Sequence, residues 1–376
     1  MAIIPLQRHL FDIPEEVTYL DCAKMSPLLH KAAEAGRQGL MRKAHPWNVK
    51  AEHFFDESDR VRALFARLIG AADDDIAIIP SVSFGMATIL QNVPVAAGQR
   101  IVTLAEDFPS TVYACRWLAK TSECELLTVA RPSDGDWTAA ILDAIDGNTA
   151  LVCAPNTHWV CGGLVDVAAV ARRCRSVGAI LVLDTTQSTG ALPIDMAEVD
   201  PDYVVAASYK WLLGPYSLGF LYAAPRHQQG RPLEQGWIAR AGARDFRSLA
   251  NYDEALEPNA RRFDMGERSN FALLPVAEAA LEQLLAWGVS NISQTLGATT
   301  AKISERLAEQ GISSVPEALR APHYLSVSFQ GGLPEGIEER LAAQNIHVSL
   351  RGDRMRITPH LYNHERDVDR LVSALG

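Results

Sequence analysis

The chain has 376 residues, 48% hydrophobic and 21% charged, a balance that excludes disorder and provides for a large buried core. Its 45 acidic against 35 basic residues leave a net charge of −10, which argues against a nucleic-acid partner, since phosphate binding calls for a basic surplus. No apolar run approaches the ~18–20 residues that cross a bilayer. The six cysteines form neither a CxxC pair nor a dense framework, so the expectation is a cytoplasmic protein with reduced thiols.

In chain order, the opening MAIIPLQRHLFDIPEE carries acids early and lacks the apolar centre of a signal peptide. Apolar runs rich in β-branched residues then predict strands over 76–79, 100–104, 124–130, 150–154, 179–184, 203–208 and 219–223. Helix-like stretches separate most of them; over 166–178 the apolar residues recur at three-to-four spacing. This alternation implies an α/β fold with a mostly parallel seven-stranded sheet covered on both faces. The last run follows its predecessor after only a short Gly-Pro stretch, which predicts antiparallel pairing. From 225 to 262 the pattern breaks into a connection rich in Arg, Gly and Pro. Helices are predicted over 275–288 and 292–311, closed by Gly288 and Gly311. Strands over 325–329, 346–350 and 355–359, with a helix over 365–375, complete a smaller α+β domain.

In open α/β sheets ligands bind at the carboxyl ends of strands, and three such ends carry polar residues. Pro80 stops the first strand, and Ser81-Val82-Ser83-Phe84-Gly85 opens a helix whose free N–H groups make either an anion cradle or an ordinary serine cap. Asp184 ends the apolar run LVLD, where a carboxylate needs a cationic partner or a capping role. Lys210 follows YVVAA-Ser208-Tyr209, where its amine is either desolvated enough to act as a nucleophile or snorkels to solvent. Together, a cradle for phosphate, an acid for a ring nitrogen and an amine for an aldehyde are what pyridoxal 5'-phosphate requires. A carboxylate about 4 Å from a pyridinium is worth on the order of 4 kcal/mol at an effective dielectric near 20, roughly three pKa units, which keeps the ring an electron sink.

The motifs LVLDTTQ, ASYKWLLGPYSLGFLY, RFDMGERSN and RMRITPHLYNHERDVDRL resemble the class V aminotransferases among fold-type I PLP-dependent enzymes, a family that includes cysteine desulfurases and kynureninases. The resemblance runs from Tyr19 to the final helix and implies an N-terminal arm (1–18), a large PLP-binding domain (19–255) and a small domain (256–376). It implies that Lys210 forms the Schiff base and shuttles the α-proton, that Asp184 pairs with the ring nitrogen, and that Gln187 bonds the phenolic oxygen. Ser208, Ser83 and the Val82 backbone would hold the phosphate, and Phe108 would stack on the ring. Arg356 would bind the substrate's α-carboxylate and His158 would lie close to it. A homodimer would close the site, with Arg268 a candidate donor to the phosphate across it. The residues alone leave Arg354 and Arg356 undecided, because period two puts both on one face.

Desulfurases of this kind need a nucleophilic cysteine shortly before the carboxylate-binding arginine, and no cysteine follows Cys174, so a desulfurase is not expected. Cys153 and Cys161 read as buried small hydrophobes. The expected activity is transamination of an amino acid. Elimination or hydrolysis (a C–S lyase or kynureninase-like reaction) and epimerisation stay open, as does a PLP-binding regulatory protein without enzymatic activity.

Overall fold

The computed structural model describes residues 2–376. Seven strands, β1 (Ile76–Ile79), β2 (Arg100–Leu104), β3 (Glu125–Val129), β4 (Thr149–Pro155), β5 (Ile180–Asp184), β6 (Tyr203–Ala207) and β7 (Gly219–Ala223), build the central sheet. Their order is β1-β7-β6-β5-β4-β2-β3. From β3 through β6 all neighbours pair in parallel. Only β7 is reversed, antiparallel to β6 and to β1. Its amino end therefore lies at the same edge as the carboxyl ends of the others.

Alternation along each strand divides the core between the two faces. Ile76, Ile78, Val102, Leu104, Val152, Leu181, Leu183 and Phe220 pack on one side with Phe65 and Val170. Ile79, Ile101, Leu151, Val182, Val205 and Leu221 pack on the other with Met86, Ile89 and Leu118. Phe65 and Phe220 stack with centroids 4.0 Å apart. The predicted helix over 166–178 runs Val167–Val177, capped by the Asp166 carboxylate at its start and by left-handed Gly178 at its end.

A smaller core gathers Leu20, Ile303, Leu307, Leu325, Val327, Met355, Ile357 and Leu371. Its sheet joins Ser349–Arg351, Arg354–Ile357, Leu325–Ser328 and Ser313–Ser314 in that order. The single strand expected over 346–350 is two pieces with different partners. Ile346–His347 pairs in parallel with Thr18–Tyr19, whereas Ser349–Arg351 pairs with Arg354–Ile357. Leu20 thus belongs to the smaller core, while Tyr19 packs against the large one. The helix Leu273–Trp287 packs with the large one, through Leu274, Leu281 and Leu284.

Candidate active site

A cavity of about 270 Å³ opens at the edge where β1, β2, β4, β5 and β6 end and β7 begins. Each strand delivers its wall through the turn that follows or precedes it. After β1, Ser81 caps the helix Val82–Leu90 by accepting from the Phe84 amide at 3.2 Å, and its hydroxyl lies 2.9 Å from that of Ser83. The first-turn amides of such a helix have no intrahelical partner and point outward. The helix lies close on the sheet because Gly85 has no side chain; a Cβ there would stand 2.8 Å from Ile79 Cδ1 and 2.9 Å from Val205 Cγ1.

Asp184, at the end of β5, is buried on the cavity wall. Its Oδ1 accepts from the Thr186 amide at 3.0 Å, and Thr111 Oγ1 lies 3.5 Å from Oδ2. Burial raises its carboxyl above the ordinary aspartate value, against the Thr186 hydrogen bonds and the Lys210 charge. Lys210, just past β6, lines the same cavity with its Nζ 5.1 Å from the Phe108 ring centroid. Burial lowers its ammonium to about 8; Asp184 pulls the other way, and Arg356 and Arg351 push in the same direction as burial. The amine is thus far closer to its neutral, nucleophilic form at physiological pH than an exposed lysine.

Phe108 forms a side wall, edge-on to Trp159 with centroids 5.4 Å apart. Gln187 also lines the cavity; its Nε2 donates to the Ala23 carbonyl and its Oε1 accepts from Trp211 Nε1, each at 3.1 Å. Arg356 is buried behind Trp159 in the smaller domain. Its Nε and Nη2 donate to Ser349 Oγ, at 2.9 and 2.6 Å, and its Nη1 lies 3.2 Å from both the Trp159 carbonyl and the Tyr324 hydroxyl. Arg354 does not share its surroundings: it stands beside the 352–353 turn and faces a different cavity.

Arg356 is thus not itself on the cavity wall, and three more expected site residues are placed elsewhere. Ser208 is buried, and its hydroxyl donates to the Pro215 carbonyl at 2.5 Å instead of facing the cavity. His158 points away from the substrate side: Thr157 and Trp159 face the cavity, and alternation turns the imidazole between them to the back, flat against Trp137. Arg268 is sealed inside its own subunit. Asp264 is buried and requires counter-charge, which Arg268 Nη1 at 2.5 Å and Arg62 Nη2 at 2.9 Å supply.

Sequence reasoning missed Asp107, Thr111, Trp159 and Ser217. Asp107 lines the cavity with Oδ2 unpartnered, and burial together with the Asp184 charge raises its carboxyl to about 7. The only signal for it was an acidic residue in the turn after β2. Ser217 holds a left-handed backbone (φ 64°) just before β7, a conformation that no local pattern announced.

Acid, amine, aromatic wall and helix start therefore share one cavity, the donor set that suits a phosphorylated, electron-poor heterocycle bearing an aldehyde. The sequence profile described as Aminotransferase class-V matches residues 19–371. The chain belongs to the class-V aminotransferase family. This membership indicates pyridoxal 5'-phosphate as the cofactor.

Within the family, the chain is 26% identical over 405 residues to the uncharacterized aminotransferase YcbU of Bacillus subtilis (strain 168), covering 100% of this chain and 98% of that protein. It is 30% identical over 253 residues to a kynureninase of Burkholderia mallei (strain SAVP1), a match spanning 62% of this chain and 58% of that protein. Among solved structures it superposes on an apo cysteine desulfurase from Thermococcus onnurineus NA1 with a TM-score of 0.86 at 18% identity, covering 100% of this class-V chain and 98% of the other. It also superposes on the cystine C-S lyase C-DES, solved with its product cysteine persulfide, with a TM-score of 0.85 at 19% identity, covering 96% and 97%. These two likenesses establish the fold-type I architecture.

Proposed function

We propose that this protein is a PLP-dependent aminotransferase acting at the α-carbon of an amino acid. The observation that carries the reading is the meeting of Lys210 and Asp184 on one cavity whose other walls include Phe108 and a helix start. When bound, pyridoxal phosphate supplies an aldehyde that condenses with amines and a ring that accepts the electron pair left at Cα. Lys210 Nζ, lowered to about 8, holds and moves the proton at Cα. Asp184 would hold the ring nitrogen through its carboxylate, and Gln187 would offer its amide to the phenolic oxygen. Val82 and Ser83 receive the phosphate at the helix start. Arg356, oriented by Ser349, Tyr324 and the Trp159 carbonyl, takes the α-carboxylate. The side-chain walls of Phe108 and Trp159 exclude water from one side.

The same reading excludes a desulfurase: residues 329–355, which lead to Arg356, contain no cysteine. A homodimer is part of it. Met25, Leu28, Leu40 and Tyr216 are exposed around an apolar groove that shares Tyr209 and Tyr216 with the cofactor cavity, so a second copy seated there would close the mouth. The six cysteines are all free, which supports a cytoplasmic location.

The kynureninase likeness favours a second reading, cleavage at the substrate's side chain. Incubating holo-protein with single amino acids separates the two. Pyridoxamine phosphate and a 2-keto acid establish transamination; pyruvate with ammonia or a thiol, or alanine with an aromatic acid, establishes cleavage and overturns the proposal.

A further inference from the structure

A second cavity, of about 200 Å³, lies between the two cores, lined among others by Arg131, Trp137, Cys161, Ser328 and Arg354. Cys161 is not the isolated apolar filler its neighbours in sequence suggest. Its Sγ lies 3.4 Å from His158 Nδ1, and Trp137 Nε1 donates to it at 3.3 Å. On the far side of the imidazole, Nε2 lies 3.1 Å from the Ala105 carbonyl, and the Val160 amide donates to Nδ1 at 3.3 Å. Both contacts select the tautomer with the hydrogen on Nε2, leaving Nδ1 an acceptor whose one lone pair the Val160 amide and the thiol share. Stacking on Trp137, at 4.6 Å and 11°, fixes the ring plane. Nucleophile, base and the acceptor that orients the base therefore stand in series, the arrangement that activates a thiol.

Electrostatics agrees with the geometry. Burial by itself would push the Cys161 thiol up, but the hydrogen bond and charge of His158, with the Trp137 and Gly163 N–H groups, outweigh it and bring the thiol down to about 7. Across the cavity, Arg354 has a buried Nε with no hydrogen-bond partner among the described residues, whereas Arg131, on the same wall with Asp134, is already paired with Glu106 and Asp353 and leaves Arg354 to receive an anion. Such a cavity suits a small ligand bearing a carboxylate.

We propose that Cys161, activated by His158, is a thiol-exchange site that takes small carboxylate-bearing disulfides from this cavity into a mixed disulfide. The thiol proton passes to His158 Nδ1 as Sγ attacks one sulfur of the disulfide RS–SR. The new S–S bond forms as the old one breaks, and the departing RS− takes the proton from His158. Cys161–SH and RS–SR become Cys161–S–SR and RSH, with no other oxidant needed. The adduct sits on the loop that also carries Thr157 and Trp159 to the cofactor cavity, so it lies directly behind that site. The proposal is independent of which reaction the cofactor site performs.

The test uses the full-length holo-protein, freed of reductant, with dithiodipropionate as the anionic probe and hydroxyethyl disulfide as the neutral one. Peptide mass mapping follows Cys161 against Cys124, the more exposed thiol. The expected result is that Cys161 reacts about tenfold faster than Cys124 near neutral pH, with a rate that levels off just above pH 7. Dithiodipropionate should be preferred over the neutral probe, and Arg354→Gln should remove that preference while leaving the neutral rate unchanged. His158→Gln should slow Cys161 near neutral pH and be rescued at alkaline pH, where the thiol ionises unaided. A native protein in which Cys161 stays unmodified while Cys124 reacts, and in which Cys161 reacts only after unfolding, overturns the proposal; equal rates with both probes overturn the anionic preference.

Discussion

Lys210 and Phe108 face each other across the cofactor cavity, with the amine nitrogen 5.1 Å from the ring centroid. A planar heterocycle held by that amine would have Phe108 as its aromatic neighbour. Replacing the ring by a methyl group should cost on the order of 1 kcal/mol of stacking beyond lost area, so Phe108→Ala should hold pyridoxal phosphate about tenfold more weakly. Phe108→Tyr should hold it nearly as well as the natural protein. Fluorescence titration of the cofactor into PLP-free protein measures both.

Burial of Lys210 makes a statement about stability as well as reactivity. Its folded value of about 8 lies below the ordinary 10.5, so the unfolded chain binds more protons between those values. The cost is complete below about pH 8 and disappears as pH rises toward 10.5, an increase in stability of about 3 kcal/mol across that window. In PLP-free protein, Lys210→Met should therefore be more stable than wild type near neutral pH, and the gap should close on the alkaline side. Chemical denaturation at stepped pH reads the difference, in which the buried tyrosines common to both proteins cancel.

Arg356 is held by Ser349, Tyr324 and the Trp159 carbonyl, with Asp21 3.7 Å away, so under the proposed reading its guanidinium would be oriented before a substrate arrived. Arg356→Lys keeps the charge but loses the fork, and should raise KM for the amino acid about 10²-fold with a smaller change in kcat. Cofactor absorbance should be unaffected. Ser349→Ala, which removes only the orienting hydroxyl, should give a milder increase of the same kind.

Asp264 binds Arg62 through both oxygens, at 3.1 and 2.9 Å, accepts from the Ile78 amide at 2.7 Å and also pairs with Arg268. The network fastens the segment after the 225–262 connection to the edge strand β1. Asp264→Asn strands two buried guanidiniums and should cost about 3–5 kcal/mol, measured by denaturant unfolding of the PLP-free protein. A cost below 1 kcal/mol would show that water reaches these arginines.

The sheet was legible because each strand is a compact β-branched run bounded by turn residues, and because β7 follows β6 too closely for a crossover. Lys210, Asp184 and the Ser81 turn were legible because polar groups at strand ends stand out against apolar runs. The three misplaced residues fail for a shared reason: motif position fixes the backbone, not which way the side chain turns. Ser208 and His158 sit at the expected places but turn away from the cavity, toward the Pro215 carbonyl and the Trp137–Cys161 layer. Arg268 is claimed by Asp264, a partner four residues away whose burial the sequence did not announce. The split of 346–350 depends on pairing with Thr18–Tyr19, a contact more than three hundred residues distant that no local pattern encodes.

Reductive trapping reaches the centre of the account most directly. Borohydride treatment of the yellow holo-protein, followed by peptide mapping, should place a single phosphopyridoxyl group on Lys210, and the visible absorbance should vanish in step with its appearance. A label on any other lysine, or a cofactor that washes away unreduced, would contradict the claim that this amine and the Asp184 carboxylate grip one B6 molecule between them.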